Sequence, residues 1–494
     1  MRWIIESSLR FRLLVVAVAA ALLGFGIVQL RNMPVEAHPE FTPPHVEVQT
    51  EALGLSAAEV EQLITVPLEA DLLNGVAFLD EIRSESIPGL SSIEMIFEAG
   101  TDVLKARQVV AERLTQAHAL PQVSTPPVMI EPVASASRVM MVGLSSQSLS
   151  LIEQSVLARW KIKPRLMGVP GVANVSVWGQ RERQLQVRVD PQRLEDNGVS
   201  LVQVMESTGN ALWVSSLSFV EASTPGTGGF IDTPNQRLSV QHISPIVNAE
   251  DLSQITVEGT NDRILRLGDI AEVVEDHQPL IGDAVGTDGA SLMLVIEKFP
   301  GTSTQQVTKD LDAAIAALAP GLPGVQMDTT VYRPAGYLDS AIGNLGLALL
   351  IGLFLLLVAL VLILFDWRAA IISIVTIPLS LAAAGVVLYL LGATINAMVV
   401  AGLVVAIGAL VADAVLDVDN MQRRLREHRQ QSEDEGAGRS AAGAVLDAAL
   451  EMRGSALFAT LIILVASVPV VLLEGLTGSF TRPLVLSYAL AVLA

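Results

Sequence analysis

Long apolar runs decide where much of this chain can sit. Leu13–Leu30 carries no charge, and Gln29 is its one strongly polar side chain. Ala341–Phe365, Ala369–Leu391 and Ala456–Leu473 are charge-free as well, and Ile395–Leu416 is broken by a single carboxylate, Asp413. At about 1.5 Å per helical residue, such runs cross roughly 30 Å of hydrocarbon. A cleaved leader is the rival reading of the first run. It would need a small-residue cleavage site, but Arg31-Asn-Met-Pro-Val follows. The run is therefore read as an uncleaved span. Leu484–Ala494 is too short to cross, so it reads as the start of a sixth helix in a piece of a longer protein.

Composition narrows the function classes. Hydrophobic residues make up 51% of the 494 positions and charged residues 17%, against about 25% charged in soluble domains. Lys plus Arg number 31 and Asp plus Glu 51, a net charge of -20. That balance excludes a nucleic-acid binder, which needs a basic footprint. Cysteine is absent, which removes disulfide scaffolds, thiolate metal sites and cysteine nucleophiles. Six histidines, few of them clustered, argue against a zinc enzyme. There is no Walker A sequence, Gly-x-Ser-x-Gly or His-Glu-x-x-His, so neither ATP binding nor hydrolysis is expected.

Basic residues orient the spans. Arg2, Arg10 and Arg12 precede the first, Arg368 lies between the second and third, and Arg423, Arg424, Arg426 and Arg429 follow the fourth. All fall on one side if the helices alternate, and that side is expected to be cytoplasmic. The expected boundaries are a cytoplasmic N-terminus at 1–12, then spans at 13–31, 341–365, 369–391 and 395–418. A cytoplasmic link at 419–453, a fifth span at 454–473 and a truncated sixth at 483–494 follow.

The region between the first two spans is then external. It alternates strand and helix signals. His45–Glu51 reads as a strand, and Ser56-Ala-Ala-Glu59 is a capping box opening a helix to about Leu73. Leu79–Ser86 and Ser91–Glu98 flank Pro88-Gly89, Asp102–Ala117 is a helix, and Val128–Glu131 a short strand. The order β-α-β-β-α-β is a split βαβ arrangement. It recurs: Val139–Ser145, the helix Leu151–Leu166, Val169-Pro-Gly-Val172, then Ala173–Trp178. Arg183–Val189 is expected to pair within this second copy, which resumes at Gly282–Lys298, Ser303–Leu318 and Val325–Val331. Two α+β subdomains are expected, at 32–133 and at 134–180 plus 276–335, with an arm at 181–275 inserted in the second. Strand-like stretches at Gln241–Ile246, Ile255–Val257 and Arg263–Leu267 favour an ordered arm, suited to contact another chain, over a disordered linker.

Asp413 is the chemical anomaly. An aspartate within an apolar run costs at least about 2.5–3.5 kcal/mol on insertion scales. Low dielectric favours its neutral acid and a nearby cation its anion, so such a carboxyl can load and release a proton. Gly402, Ala406 and Ala409 share its helix face by spacing, and small side chains let another helix approach closely. A structural hydrogen bond or ion pair between helices is the bland alternative. Asp417 and Asp419 read as solvated interface residues, or as further relay groups. Met398 offers soft sulfur to a metal ion or simply packs, and so does the pair Met140-Met141. Pro378 and Pro469 interrupt backbone hydrogen bonding inside two spans.

These motifs together resemble the resistance-nodulation-division (RND) efflux permeases over the whole chain. Met33-Pro34-Val35 resembles the exit from the first helix. Gly54-Leu-Ser-Ala-Ala-Glu-Val-Glu and Thr65-Val-Pro-Leu-Glu69 match the first porter helix, and Arg266-Leu-Gly-Asp269-Ile-Ala271 a strand entry. Gly408-Ala-Leu-Val-Ala-Asp413-Ala…Asp419-Asn420 resembles the fourth-helix signature Gly-x-x-Val-Asp-Asp-Ala…Glu-Asn. Leu473-Glu-Gly-Leu-Thr-Gly478 and Arg482-Pro483 resemble the link between helices five and six. The resemblance implies a membrane α-helical bundle plus an α+β periplasmic domain, with two ferredoxin-like βαββαβ porter subdomains and an inserted docking arm. It implies a proton antiporter rather than an enzyme, without cofactor, in the inner membrane of a Gram-negative-type bacterium. It further implies a homotrimer in the lipid bilayer, working with a periplasmic adaptor (membrane fusion protein) and an outer-membrane channel. Asp413 maps onto the second signature aspartate, a proton-relay residue. Ala412 stands in place of the first, and Asp419 in place of the Glu. Ser215–Leu217, Ser223–Asn235 and Phe365-Asp-Trp-Arg368 are most similar to the heavy-metal branch, the copper/silver and cobalt–zinc–cadmium exporters. An exporter of hydrophobic or amphiphilic organic compounds is the nearest alternative, a helper of protein export like the SecD/SecF group a more distant one, and a non-transporting sensor a third.

Overall fold

The computed structural model describes residues 6–8, 10–116, 125–212, 230–239, 246–258, 264–286, 289–364, 367–435 and 441–494. The chain divides into two compact units. One takes residues 1–145, 161–178 and 293–494, the other 146–160 and 179–292.

The first unit holds the apolar helices: α1 Arg12–Asn32, α2 Pro334–Leu364, α3 Trp367–Leu390, α4 Ala397–Glu435, α5 Ala441–Val471 and α6 Gly475–Leu493. Among the described residues, five of them (all but α5) are long and apolar enough to cross a membrane, and α5 has a shorter apolar stretch at Leu457–Val471. α6 starts at Gly475, eight residues ahead of the expected 483. In its polar first turns the hydroxyls of Ser479 and Thr481 donate back to Gly475 O and Thr477 O at 3.2 and 2.7 Å. Arg482 donates to Val471 O and Leu473 O, at the end of α5 and just beyond it, at 2.9 and 3.0 Å. Hydropathy reads those residues as a link, yet they continue α6. The basic stretch after Asp419 is likewise helical as far as Glu435.

The same unit contains two four-stranded sheets. The first joins β1 His45–Glu51, β2 Leu79–Ile87, β3 Leu90–Phe97 and β4 Val128–Met129 in the order β2-β3-β1-β4. Alternate residues Val46 and Val48 of β1, and Ile93 and Met95 of β3, are buried against Ile64, Leu68, Leu72 and Val110 from the covering helices. This is the period-two burial of a sheet with one covered face. The second joins β5 Arg138–Ser145, β6 Val172–Trp178, β7 Leu292–Lys298 and β8 Gln326–Tyr332 in the order β8-β5-β7-β6. Counted within each sheet, both run fourth-first-third-second. Along the chain, β1 and β5 are each followed by a helix opened by a serine capping box, Ser56 with Glu59 and Ser150 with Glu153. Each helix widens into a π-turn, Glu61–Thr65 or Ala158–Ile162, just before a proline, Pro67 or Pro164. Proline has no N–H to return to the preceding turn, and the wider turn absorbs that loss.

The pairing expected for Arg183–Val189 is corrected. That strand pairs antiparallel with Ala271–His277 across seven residues, outside the second sheet. The antiparallel partner of β6 is β7. Strand propensity marks a segment as extended and says nothing of which edge it joins.

The second unit has a core of its own, built on Val204, Leu252, Val257, Leu265, Leu267 and Ile270. Asp190 caps the helix Pro191–Asn197, and Gly198 ends it in the left-handed region at φ 63°. Ser200 and Gln203 form the capping box of the next helix, Leu201–Ala211. Thr256–Glu258 pairs with Ile264–Arg266. The Arg181 guanidinium donates twice to the Asp283 carboxylate, both at 3.0 Å, and clamps the start of this segment to its end. Ser215–Leu217, residues 223–229 and all of the expected strand Gln241–Ile246 except Ile246 lie outside the described residues.

Candidate functional site in the fourth apolar helix

Asn396 caps α4, its Oδ1 accepting the Met398 and Val399 amides at 3.1 and 3.0 Å. From there a seam of small residues runs down the helix. A Cβ built on Gly402 would lie 2.1 Å from Ser487 Oγ and 2.2 Å from Leu484 O, so α4 and α6 touch through backbone at that level. The Ser487 hydroxyl donates to Val399 O across the seam at 3.0 Å. One turn on, Ala406 is fully buried against Ala384 of α3 and Ala491 of α6. Ala409 is half-buried, and Asp413 is exposed.

Gly402 and Ala406 are thus packed against neighbouring helices, and Asp413 lies seven residues beyond Ala406 on α4. Asp413 makes no ion pair among the described residues. Asp417 has a partner, and Asp419 is exposed. Just beyond, Asn420 is 6% exposed and donates from Nδ2 to Ala448 O of α5 at 3.2 Å, while accepting from Arg423 at 2.8 Å. Arg424 pairs with Glu451 of α5 at 2.7 Å. The acid thus sits between a packed apolar seam and a polar α4–α5 contact.

The methionines divide. Met140 is fully buried in the second sheet, where it packs. Met398 is half-buried in the first turn of α4. Among the described residues no group of three or more His, Asp or Glu side chains is placed to hold a metal ion.

Sequence reasoning missed the segment that leaves α1. Glu36 is buried and accepts from Lys298 Nζ, a residue 262 positions away, at 2.8 Å. Beside it, Glu40 accepts from the Ser135 amide at 2.7 Å and from the Ser135 hydroxyl. Shielding by the surrounding protein pushes the Glu40 carboxyl above its ordinary range. The Glu36 charge adds to that, and the Ser135 amide and Lys298 oppose it. A cleft of about 630 Å³ also opens by this segment, lined by Arg31, Lys309, Asp312, Arg333 and Asp339. Arg333 is held there by Asp312 at 2.5 Å.

A model of the AcrB/AcrD/AcrF family matches residues 4–494, and the chain belongs to that family of RND permeases. It is 29% identical over 512 residues to the cation efflux system protein CzcA of Alcaligenes sp. (strain CT14), covering 99% of this chain and 46% of the relative. It is also 29% identical to the cation efflux system protein CusA of Escherichia coli (strain K12), with the same shares covered. A crystal structure of a heavy metal efflux pump superimposes with a TM-score of 0.81 at 24% identity, over 99% of this chain and 46% of that one. The chain spans about half the length of the curated relatives it matches.

Proposed function

We propose that this chain is the N-terminal half of a proton-driven RND efflux permease of the inner membrane that exports heavy-metal cations. The observation that carries the proton coupling is Asp413, an acid inside an apolar helix just past a close-packed seam. The metal reading rests on the names of its relatives and on the heavy-metal wording of its loops. In this reading the two sheets are ferredoxin-like porter subdomains on the periplasmic side, and the second unit is the docking arm. The basic ends of α1, α3 and α4 lie in the cytoplasm. The permease acts as a homotrimer with a periplasmic adaptor and an outer-membrane channel.

Asp413 takes up a proton where its surroundings favour the neutral acid and gives it up where they favour the anion. The packed α4–α6 seam passes the resulting shift along the helix. Met398, at the outer end of α4, is a candidate soft ligand on the path of the cation, and Asp417 and Asp419 are candidate relay groups below Asp413. In the full-length protein Asp413→Asn is expected to abolish export while insertion and assembly survive. Resistance retained in cells carrying that variant would overturn the reading.

A further inference from the structure

The segment that leaves α1 is fastened on several sides. Ile395 donates to Pro34 O and Glu36 donates to Ile395 O, both at 2.9 Å, and Ala397 donates to Ala37 O at 3.3 Å. Val35 and Ile395 thus form a short parallel bridge, so the outer ends of α1 and α4 are sewn together by backbone. A little further on, Phe41 stacks on Phe480 of α6 with ring centroids 5.7 Å apart. The Phe41 and Thr42 amides donate to Ser135 Oγ at 3.0 and 2.8 Å.

Between these attachments lies the Glu36–Lys298 pair. Lys298 is 1% exposed and Glu36 7%. Lys298 is the last residue of β7, an inner strand of the second sheet. Its ammonium also donates to Thr302 O at 2.8 Å, and its backbone amide donates to Ser137 O at 2.9 Å. The residue is therefore fixed within the sheet by its main chain, and fixed to the α1–α4 junction by its charge. Taking two ions out of water costs several kcal/mol each, and an apolar pair of the same size would hold the fold as well. What the ion pair adds is direction: a short contact between two charges tolerates less sliding than apolar packing.

We propose that Glu36 and Lys298 form the strut that transmits movement of α4 to the second sheet. They are positioning residues for transport, since neither lies in the α4 seam or beside Asp413. The inference rests on the proton-driven reading for its functional arm, and stands on this geometry alone for its mechanical arm.

The test uses the full-length protein, cysteine-free except for a spin-label pair at Leu391→Cys and Gln306→Cys, reconstituted in vesicles. Three forms are compared: the parent, the double variant Glu36→Gln with Lys298→Met, and the charge-keeping variant Glu36→Asp with Lys298→Arg, which retains a donor for Thr302 O. The double variant leaves no charge unpaired and is expected to insert. Its label-to-label distance distribution should broaden, and metal export should fall about tenfold. The charge-keeping variant should hold a narrow distribution and much of the export. A double variant with an unchanged distribution, or with parental export, overturns the strut. So does a charge-keeping variant that loses both readouts or fails to insert. If the double variant fails to insert, the charge-keeping variant alone decides by the same criteria. Asp413→Asn is run alongside: parental export in that variant overturns the proton-driven reading, while the distance readout still judges the strut.

Discussion

Glu40 shows how one side chain can report on the junction around it. Its carboxyl is raised by its shielded position and by Glu36, although part of its surface remains open to solvent. A carboxyl whose folded pKa exceeds its unfolded one binds more protons in the fold. Stability then falls as pH rises through the window from the ordinary value of 4.5 up to the raised one. Glu40→Gln should flatten that part of the stability–pH curve and leave the protein more stable at neutral pH, as read by thermal unfolding across the acidic-to-neutral range. A variant with the parental slope would show that Glu40 is not the group responsible. None of this environment is legible near Glu40 in the sequence, because its partners Ser135 and Lys298 arrive from other elements.

At the scale of elements, the α4–α6 seam depends on a missing Cβ. Gly402→Ala would drive a methyl group into Ser487 Oγ and the Leu484 carbonyl, and backbone cannot move aside as a long side chain can. Overpacking of this kind costs about 1–3 kcal/mol. Gly408 on the same helix has nothing within 4 Å of the same position, so Gly408→Ala is the control. The first variant is expected to lower the unfolding midpoint and the second to leave it unchanged or slightly raised, because alanine is the better helix former. Equal effects would mean that the close approach of α4 and α6 does not matter. The small-residue stripe was readable from the positions of Gly402, Ala406 and Ala409. Which helix fills it was not: helical spacing reports what one helix offers and not that Ser487 and Leu484 of α6 come to meet Gly402. The polar residues Gly475–Arg482, which read as a link by hydropathy, form the first turns of α6.

At the scale of the molecule, the proposed cargo decides which cells survive. A strain carrying the full-length protein should tolerate cobalt, zinc, cadmium, copper or silver salts better than one lacking it, and should gain nothing against dyes and detergents. A growth screen across both groups checks this; protection limited to the organic compounds would favour the organic exporter instead. The placement of the chain at this scale was readable to different depths. Charge-free runs are long in sequence and need only their own composition to declare themselves, and capping boxes at Ser56 and Ser150 need only four residues. The inserted segment betrayed itself through an interrupted second copy. Its clamp, Arg181 on Asp283, and the true partner of Arg183–Val189 did not, since each joins residues about ninety or more positions apart.

The amino-acid order by itself determined which stretches are apolar enough for a bilayer, where the two α+β copies begin, and that one carboxylate stands inside the fourth apolar run. These are local properties, set by side-chain hydrophobicity and by hydrogen bonds a few residues long. Only the tertiary structure decided that Arg183–Val189 leaves the second sheet, that Gly402 meets Ser487, and that Glu36 meets Lys298. Each of those depends on which surfaces come together when the chain closes, and pairings between residues far apart in the chain leave no periodicity behind to be read.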